Sequence, residues 1–178
     1  DVLISARSPG DDELEAYKRI VGGNRVDGII LARTRQHDPR IAYLKQVGHP
    51  FVVSGRTAPD EIPDFPYIDV DSQAGIYAVT QHLIAHGHRQ IGLILPPPDV
   101  AYTDYRRRGY ADALTDAGIA YQHEWVFSGD LRRSGGYQGM YHLLDHHPTL
   151  TAVVCSNDLM ALGAMQAAQA LGRIVGRD

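Results

Sequence analysis

The stretch HLIAHGHRQIGLIL, His82 to Leu95, decides the fold. Its first half closes a helix. Asp71 or Ser72 is a competent cap, helical spacing runs from Ala74 to Ala85, and Gly87 stops it. Ile76, Val79, Leu83 and Ile84 are predicted to share the buried face, with Gln73, Gln81 and His82 outside it. The second half, IGLIL, is apolar at every position. A short strand without polar alternation is buried on both faces, as in a parallel sheet that helices cover on each side.

The same alternation extends in both directions. Upstream, Val2 to Ser5 reads as a strand, DDELEAYKRIVGG as a helix carrying Leu14, Tyr17 and Val21, and VDGIILA as a strand. Asp38 is placed to cap a helix with Pro39 at its first position, running through Ile41, Leu44 and Val47 to Gly48. PFVVSG is the next strand, APDEIPDFP an irregular connection, and YIDV a short strand. Downstream, Pro96, Pro97 and Pro98 form a stiff extended segment, the kind of piece that suits a crossing between two lobes. Beyond it come the helix DYRRRGYADALTDAG, the strand EWVFSG, a helix from Ser134 to His146, the strand TAVVCSND and the helix LMALGAMQAAQALG. Parallel strands joined by helices make an open twisted sheet. The expected architecture is therefore α/β with two doubly wound lobes: residues 1–95, a crossover at 96–98, and residues 99–178.

Composition limits what such a fold can do. The chain has 178 residues, 44% hydrophobic and 21% charged, enough apolar material for a real core. Its formal net charge of -4 gives no global positive field to hold a phosphate backbone, so contact with nucleic acid would need another segment. Cys155 is the single cysteine and sits in an apolar run, which fits a reducing compartment. No apolar run approaches a membrane span and DVLISARSPG lacks the basic start of a secretory signal, so a cytoplasmic location is expected.

Open parallel sheets bind ligands beyond the carboxyl ends of their strands. The residues there are Ser5 to Ser8, Arg33 and Thr34, Ser54 to Arg56, Pro96 to Tyr102, Gly129 to Arg132, and Ser156 to Asp158. They offer guanidinium, hydroxyl, amide and carboxylate groups, a set for hydrogen-bonding a polar small molecule.

No catalytic set stands out. GxSxG, Walker and GxGxxG patterns are missing, and Ser156-Asn157-Asp158 does not have the order of the β-lactamase triplet. His82 and His86, like His142 and His146, are four apart on a helix, but no third ligand accompanies either pair and zinc is not expected. No cofactor and no enzymatic activity are predicted.

Several of these residues carry a family resemblance. Asp71, Gly75 and Ala78, then HLIAHGHRQIG, Arg106 with Gly109, Tyr110, Ala113 and Leu114, SGGYQGM, and SNDLMALGAMQAA together resemble the effector-binding core of LacI/GalR-family transcriptional repressors. The resemblance implies a periplasmic-binding-protein-like pair of lobes, closing on a sugar or similar metabolite, in a homodimer whose separate headpiece binds operator DNA. It also implies that the family's opening strand and helix, and its last strands, lie outside these residues.

Carried over by motif, Arg106 is the arginine that forks onto effector hydroxyls or carboxylates and Asn157 an amide ligand. Tyr102, one turn before Arg106, is expected to share its cleft. Asp158 joins the site, although capping the helix that begins at Leu159 is its expected job. Two departures bear on the ligand. Leu131 stands where many relatives have a stacking aromatic, and Gly55-Arg56 where many have Asp-Arg. Arg33, Arg56 and Arg106 would then favour an acidic ligand. A periplasmic solute receptor feeding a transporter is the alternative reading, and the residues upstream of Asp1 would discriminate the two.

Overall fold

The computed structural model describes residues 1–5 and 11–177, with side chains of the second stretch from Glu13 onward. Residues 6–8, among the expected strand-end positions, lie outside the described residues. The chain forms two compact units, Asp1–Asp69 and Val70–Asp178.

The first unit orders α1 (Asp11–Gly22), β1 (Ile29–Ala32), α2 (Pro39–Val47), β2 (Phe51–Ser54) and β3 (Tyr67–Ile68). Its sheet is parallel, β1-β2-β3. Leu31, Val53, Ile41, Leu44 and Phe65 make the core, with Tyr17 and Val21 of α1 packed against it. Asp38 caps α2 as expected, accepting from the Arg40 amide, and Gly48 ends the helix in left-handed backbone. Val2 to Ser5 forms no strand. A strand exists only where a neighbour takes its backbone groups; Val2 and Ile4 instead stand almost fully exposed.

The second unit contains α3 (Ser72–Ala85), β4 (Ile91–Leu95), α4 (Tyr102–Asp116), β5 (Val126–Ser128), α5 (Arg133–His146), β6 (Ala152–Cys155) and α6 (Asp158–Ala170), with a 3-10 turn at His123–Trp125. Its parallel sheet runs β5-β4-β6, which puts IGLIL at the centre. All five β4 residues are buried. Ile91, Leu93 and Leu95 meet Ile84 of α3 and Tyr110 and Leu114 of α4. Ile94 turns the other way, toward Leu143 of α5 and Met160 and Ala164 of α6. Burying each such side chain contributes about 1.5–3 kcal/mol.

Two expectations about this region are corrected. The boundary between units is at Asp69/Val70, so α3 and β4 belong to the second unit and the triple proline lies within it. Period and hydrophobicity locate a strand but not its partners, and β4 takes both of its neighbours from later in the chain. Pro96–Pro98 feeds α4: the Pro97 carbonyl accepts from the Val100 amide and from the Thr103 hydroxyl. On α3 the inward face includes Thr80, fully buried, whereas Val79 is 40% exposed. The Thr80 hydroxyl is satisfied within the helix by the Ile76 carbonyl at 2.8 Å, which lets a polar residue occupy that position.

Helices α5 and α6 approach closely at two glycines. At Gly136 on α5 a Cβ would overlap the Met160 carbonyl, and at Gly163 on α6 a Cβ would overlap that of Arg133. Among the described residues no helix is long and apolar enough to cross a membrane.

Candidate functional site

In the second unit the carboxyl ends of β4, β5 and β6 bring several expected residues together. Tyr102 opens α4, and Arg106 one turn later holds its guanidinium 4.4 Å from the Tyr102 ring centre. This cation–π contact stiffens a side chain that would otherwise swing through many rotamers. Arg106 Nη1 also donates to the Ser156 carbonyl at 2.6 Å, tying α4 to the end of β6. Both side chains are half-buried. A planar cation on an aromatic face is a group of the kind that binds hydroxyls or an anion.

Asn157 has two structural partners that the sequence reading did not foresee. Its Oδ1 accepts from the Met160 amide at 2.8 Å, which makes Asn157 the N-cap of α6, and its Nδ2 donates to the Leu131 carbonyl at 3.0 Å. Asp158 is therefore not the cap. It lies exposed in the first helical turn, where its charge complements the helix dipole.

Leu131 is 9% exposed and packs into the apolar cluster with Ile94 and Met160. It adopts φ +65°. The preceding Asp130 holds the loop: one oxygen accepts from the amides of Arg132 and Gly135, the other from the Ser134 hydroxyl. Burial raises the Asp130 pKa, but those donors outweigh it and leave the carboxyl below its ordinary value.

In the first unit, Arg33 follows β1 in left-handed backbone at φ +56°, exposed to solvent. Its carbonyl accepts from Arg40 Nη2 at 2.9 Å. Arg40, only 4% exposed, is locked by Asp38 and Glu13 and lies over the Tyr17 ring. Glu13 also pairs with Arg35. Gly55 sits at φ +124°, a backbone that disfavours any side chain, and a Cβ there would come within 2.7 Å of the Thr34 hydroxyl. The carboxylate comes instead from Asp69, whose Oδ2 lies 2.9 Å from Arg56 Nε. Sequence reasoning missed Asp69 because β3 is only two residues long; applying the strand-end rule to YIDV would have found it. It also missed Arg40 and, although Ser156 was among the strand-end residues, the carbonyl of Ser156 that Arg106 uses; both parts depend on backbone carbonyls that no motif reports.

The histidine pairs touch with tilted rings, His82 and His86 at 4.3 Å and His142 and His146 at 4.2 Å between ring centres. The later ring of each pair is bonded through Nδ1 to the carbonyl of the earlier residue. Among the described residues no group of three metal-ligating side chains gathers. A hollow of about 600 Å³ between α5, α6 and β6 is lined by Met140, Leu144, Val153, Cys155 and Met165. It is mostly apolar, although His88, Thr151, Arg173 and Arg177 also line it, and it contains none of the candidate residues.

The family described as periplasmic binding proteins and sugar binding domain of LacI family matches residues 2–178. The transcriptional regulator AglR of Rhizobium meliloti (strain 1021) is 34% identical over 176 residues, covering 99% of this chain and 49% of AglR. CelR of Thermobifida fusca is 36% identical over 178 residues, covering 99% of this chain and 52% of its own. The chain thus spans about half the length of these curated relatives. A solved complex of the regulator CelR with cellobiose superposes with a TM-score of 0.89 at 35% identity, over 95% of this chain and 52% of that one. A LacI-family regulator from Mycobacterium smegmatis gives a TM-score of 0.86 at 27% identity, over 99% of this chain and 64% of that one.

Proposed function

From the premise that this chain belongs to the family of periplasmic binding proteins and LacI-type sugar-binding domains, we propose that it senses a sugar or related polar metabolite and thereby governs operator binding by a headpiece elsewhere in the protein. The observation that carries this reading is the Tyr102–Arg106 pair at the carboxyl ends of β4 and β6, a fixed fork of donors beside an aromatic face. The relatives compared are transcriptional regulators, a non-enzymatic group, which favours a cytoplasmic sensor over a transporter's receptor. The carboxylate at Asp69 changes the expected ligand. With Arg56 paired to it, the case for an acidic ligand in the second unit rests on Arg106, and neutral sugar hydroxyls suit that arginine as well.

The protein acts as a homodimer on this reading. Support comes from an apolar stripe on α6, where Leu159, Leu162 and Met165 are each more than 40% exposed, continued by Tyr137 and Tyr141 of α5. Effector and operator affinities change each other by the same factor, as linkage requires.

A thermal-shift screen of cellobiose, other neutral di- and trisaccharides, sugar acids and sugar phosphates tests the reading. At least one class raises the melting temperature, and Arg106→Ala abolishes that rise. A rise that persists in Arg106→Ala, or none with any class, overturns it.

A further inference from the structure

Among the described residues, three that are not glycine adopt left-handed backbone: Asn24, Arg33 and Leu131. Asn24 follows the end of α1, where asparagine is a common left-handed terminator. Arg33 and Leu131 have no such excuse, because for residues of their kind this conformation costs about 1–3 kcal/mol. Both stand just past the carboxyl end of a strand, Arg33 after β1 and Leu131 after β5. In both, the strained residue's carbonyl is held by a side chain from the start of a later helix. Arg40 Nη2 holds Arg33 at 2.9 Å and Asn157 Nδ2 holds Leu131 at 3.0 Å.

The holding groups are themselves fixed. Arg40 Nε and Nη2 donate to Asp38 at 2.9 and 2.6 Å, and Nη1 donates to Glu13 at 2.8 Å. Asn157 is anchored by the Met160 amide on its Oδ1. Neither arginine nor asparagine is needed at these places to start a helix: Asp38 already caps α2, and aspartate or serine would cap α6 as well as asparagine does. What these side chains add are donors aimed at strand-end carbonyls: Asn157 at that of Leu131, and Arg40 at that of Arg33 and, at 3.3 Å, that of Ala32.

We propose that Arg40 and Asn157 are positioning residues, each within its own unit: Arg40 holds Arg33, and Asn157 holds the Leu131–Arg132 edge, in left-handed backbone, so that each strand-end loop has its shape before any ligand arrives. The inference rests on reading the strand ends as the binding surface, as proposed above. It reassigns Asn157 from contacting the ligand to shaping the loop beside it. Preformed loops raise affinity because ordering them is not charged to binding.

Two conservative variants of the protein separate clamp from scaffold without any ligand. Asn157→Asp keeps an acceptor for the Met160 amide but replaces the donor facing Leu131 with a carboxylate oxygen. Arg40→Lys keeps the charge opposite Glu13 and Asp38, but a single ammonium lacks the fork that reaches the Arg33 carbonyl at the same time. The backbone carbon chemical shifts of Leu131 and Arg33, which report the sign of φ, leave their left-handed values in the respective variant. Exchange of the Arg132 amide rises about tenfold in Asn157→Asp while α6 keeps its protection. Adding Leu131→Asn to Asn157→Asp restores the left-handed signature, since asparagine tolerates it unaided. Unchanged shifts in both single variants, or a loss of α6 protection in step with the loop, overturns the inference. Failure of the sugar screen leaves these readouts standing, so the two readings fail separately.

Discussion

Arg106 lies with its guanidinium 4.4 Å above the ring of Tyr102, one helical turn before it, and reaches past that ring to the Ser156 carbonyl. The contact needs a π-face and no hydroxyl. Tyr102→Phe is therefore expected to leave stability unchanged, whereas Tyr102→Leu, similar in bulk but without a quadrupole, loses about 0.5–1 kcal/mol. Urea denaturation of the three proteins checks this, and equal losses in both variants would show that the hydroxyl, not the ring, is used.

Gly136 and Gly163 let α5 and α6 touch through their backbones, and a methyl at either place meets a carbonyl that cannot rotate away. Gly136→Ala and Gly163→Ala are expected to cost about 1–3 kcal/mol, despite alanine's better helix propensity. Gly75, in the first half of α3, has nothing within 4 Å of its missing Cβ. Gly75→Ala therefore goes the other way, gaining about 0.4–1 kcal/mol. Denaturation midpoints moving in opposite directions confirm the close crossing; three shifts of one sign would refute it.

Much of this was legible in the sequence, for reasons that also mark its limit. Asp38-Pro39, Gly48 and the apolar run IGLIL carry their structure locally, through capping, φ restriction and burial, and they fold as read. Which strands flank IGLIL depends on contacts distant in sequence, so the triple proline looked like a boundary that the sheet does not respect. Asn157 and Asp158 are both good caps by type; the choice between them turns on a carbonyl at Leu131, twenty-six positions earlier. Thr80 is buried where Val79 was expected to be, because a hydroxyl satisfied by its own helix can be buried at little cost.

Acid should loosen the first unit through Asp38. Burial raises its pKa, but Arg40 and the amides of Arg35 and Arg40 outweigh burial and hold it below the ordinary 3.8. Between the two values the unfolded chain binds the extra proton, so stability rises with pH there. The contribution is complete above the unfolded value and disappears as pH falls through the lower folded one. Asp38→Asn leaves the buried Arg40 without its main partner and should cost about 3–5 kcal/mol at neutral pH. The gap from the unmutated protein then narrows below pH ~3.9, the ordinary carboxyl range. Amide exchange in β1 and α2 reads this unit directly, and a gap independent of pH would sink the assignment.

Cys155 closes β6 with its thiol in the apolar cluster of α5 and α6, and burial pushes its pKa from the ordinary 9.0 up to about 12. Only the thiolate attacks an alkylating reagent or a disulfide, so a rise of three units leaves roughly a thousandfold less nucleophile at pH 8. Native protein should react with iodoacetamide roughly tens of times more slowly than denatured protein, because the more basic thiolate regains part of the loss through its greater nucleophilicity. The same shift has a thermodynamic side. In the folded state the thiol stays protonated while the unfolded one ionises, so its contribution to stability is complete below the unfolded value and falls away as pH rises toward 12. Cys155→Ala removes that alkaline dependence and adds a small cavity cost at neutral pH. Native alkylation at the denatured rate would place the sulfur in solvent, contrary to the packing described.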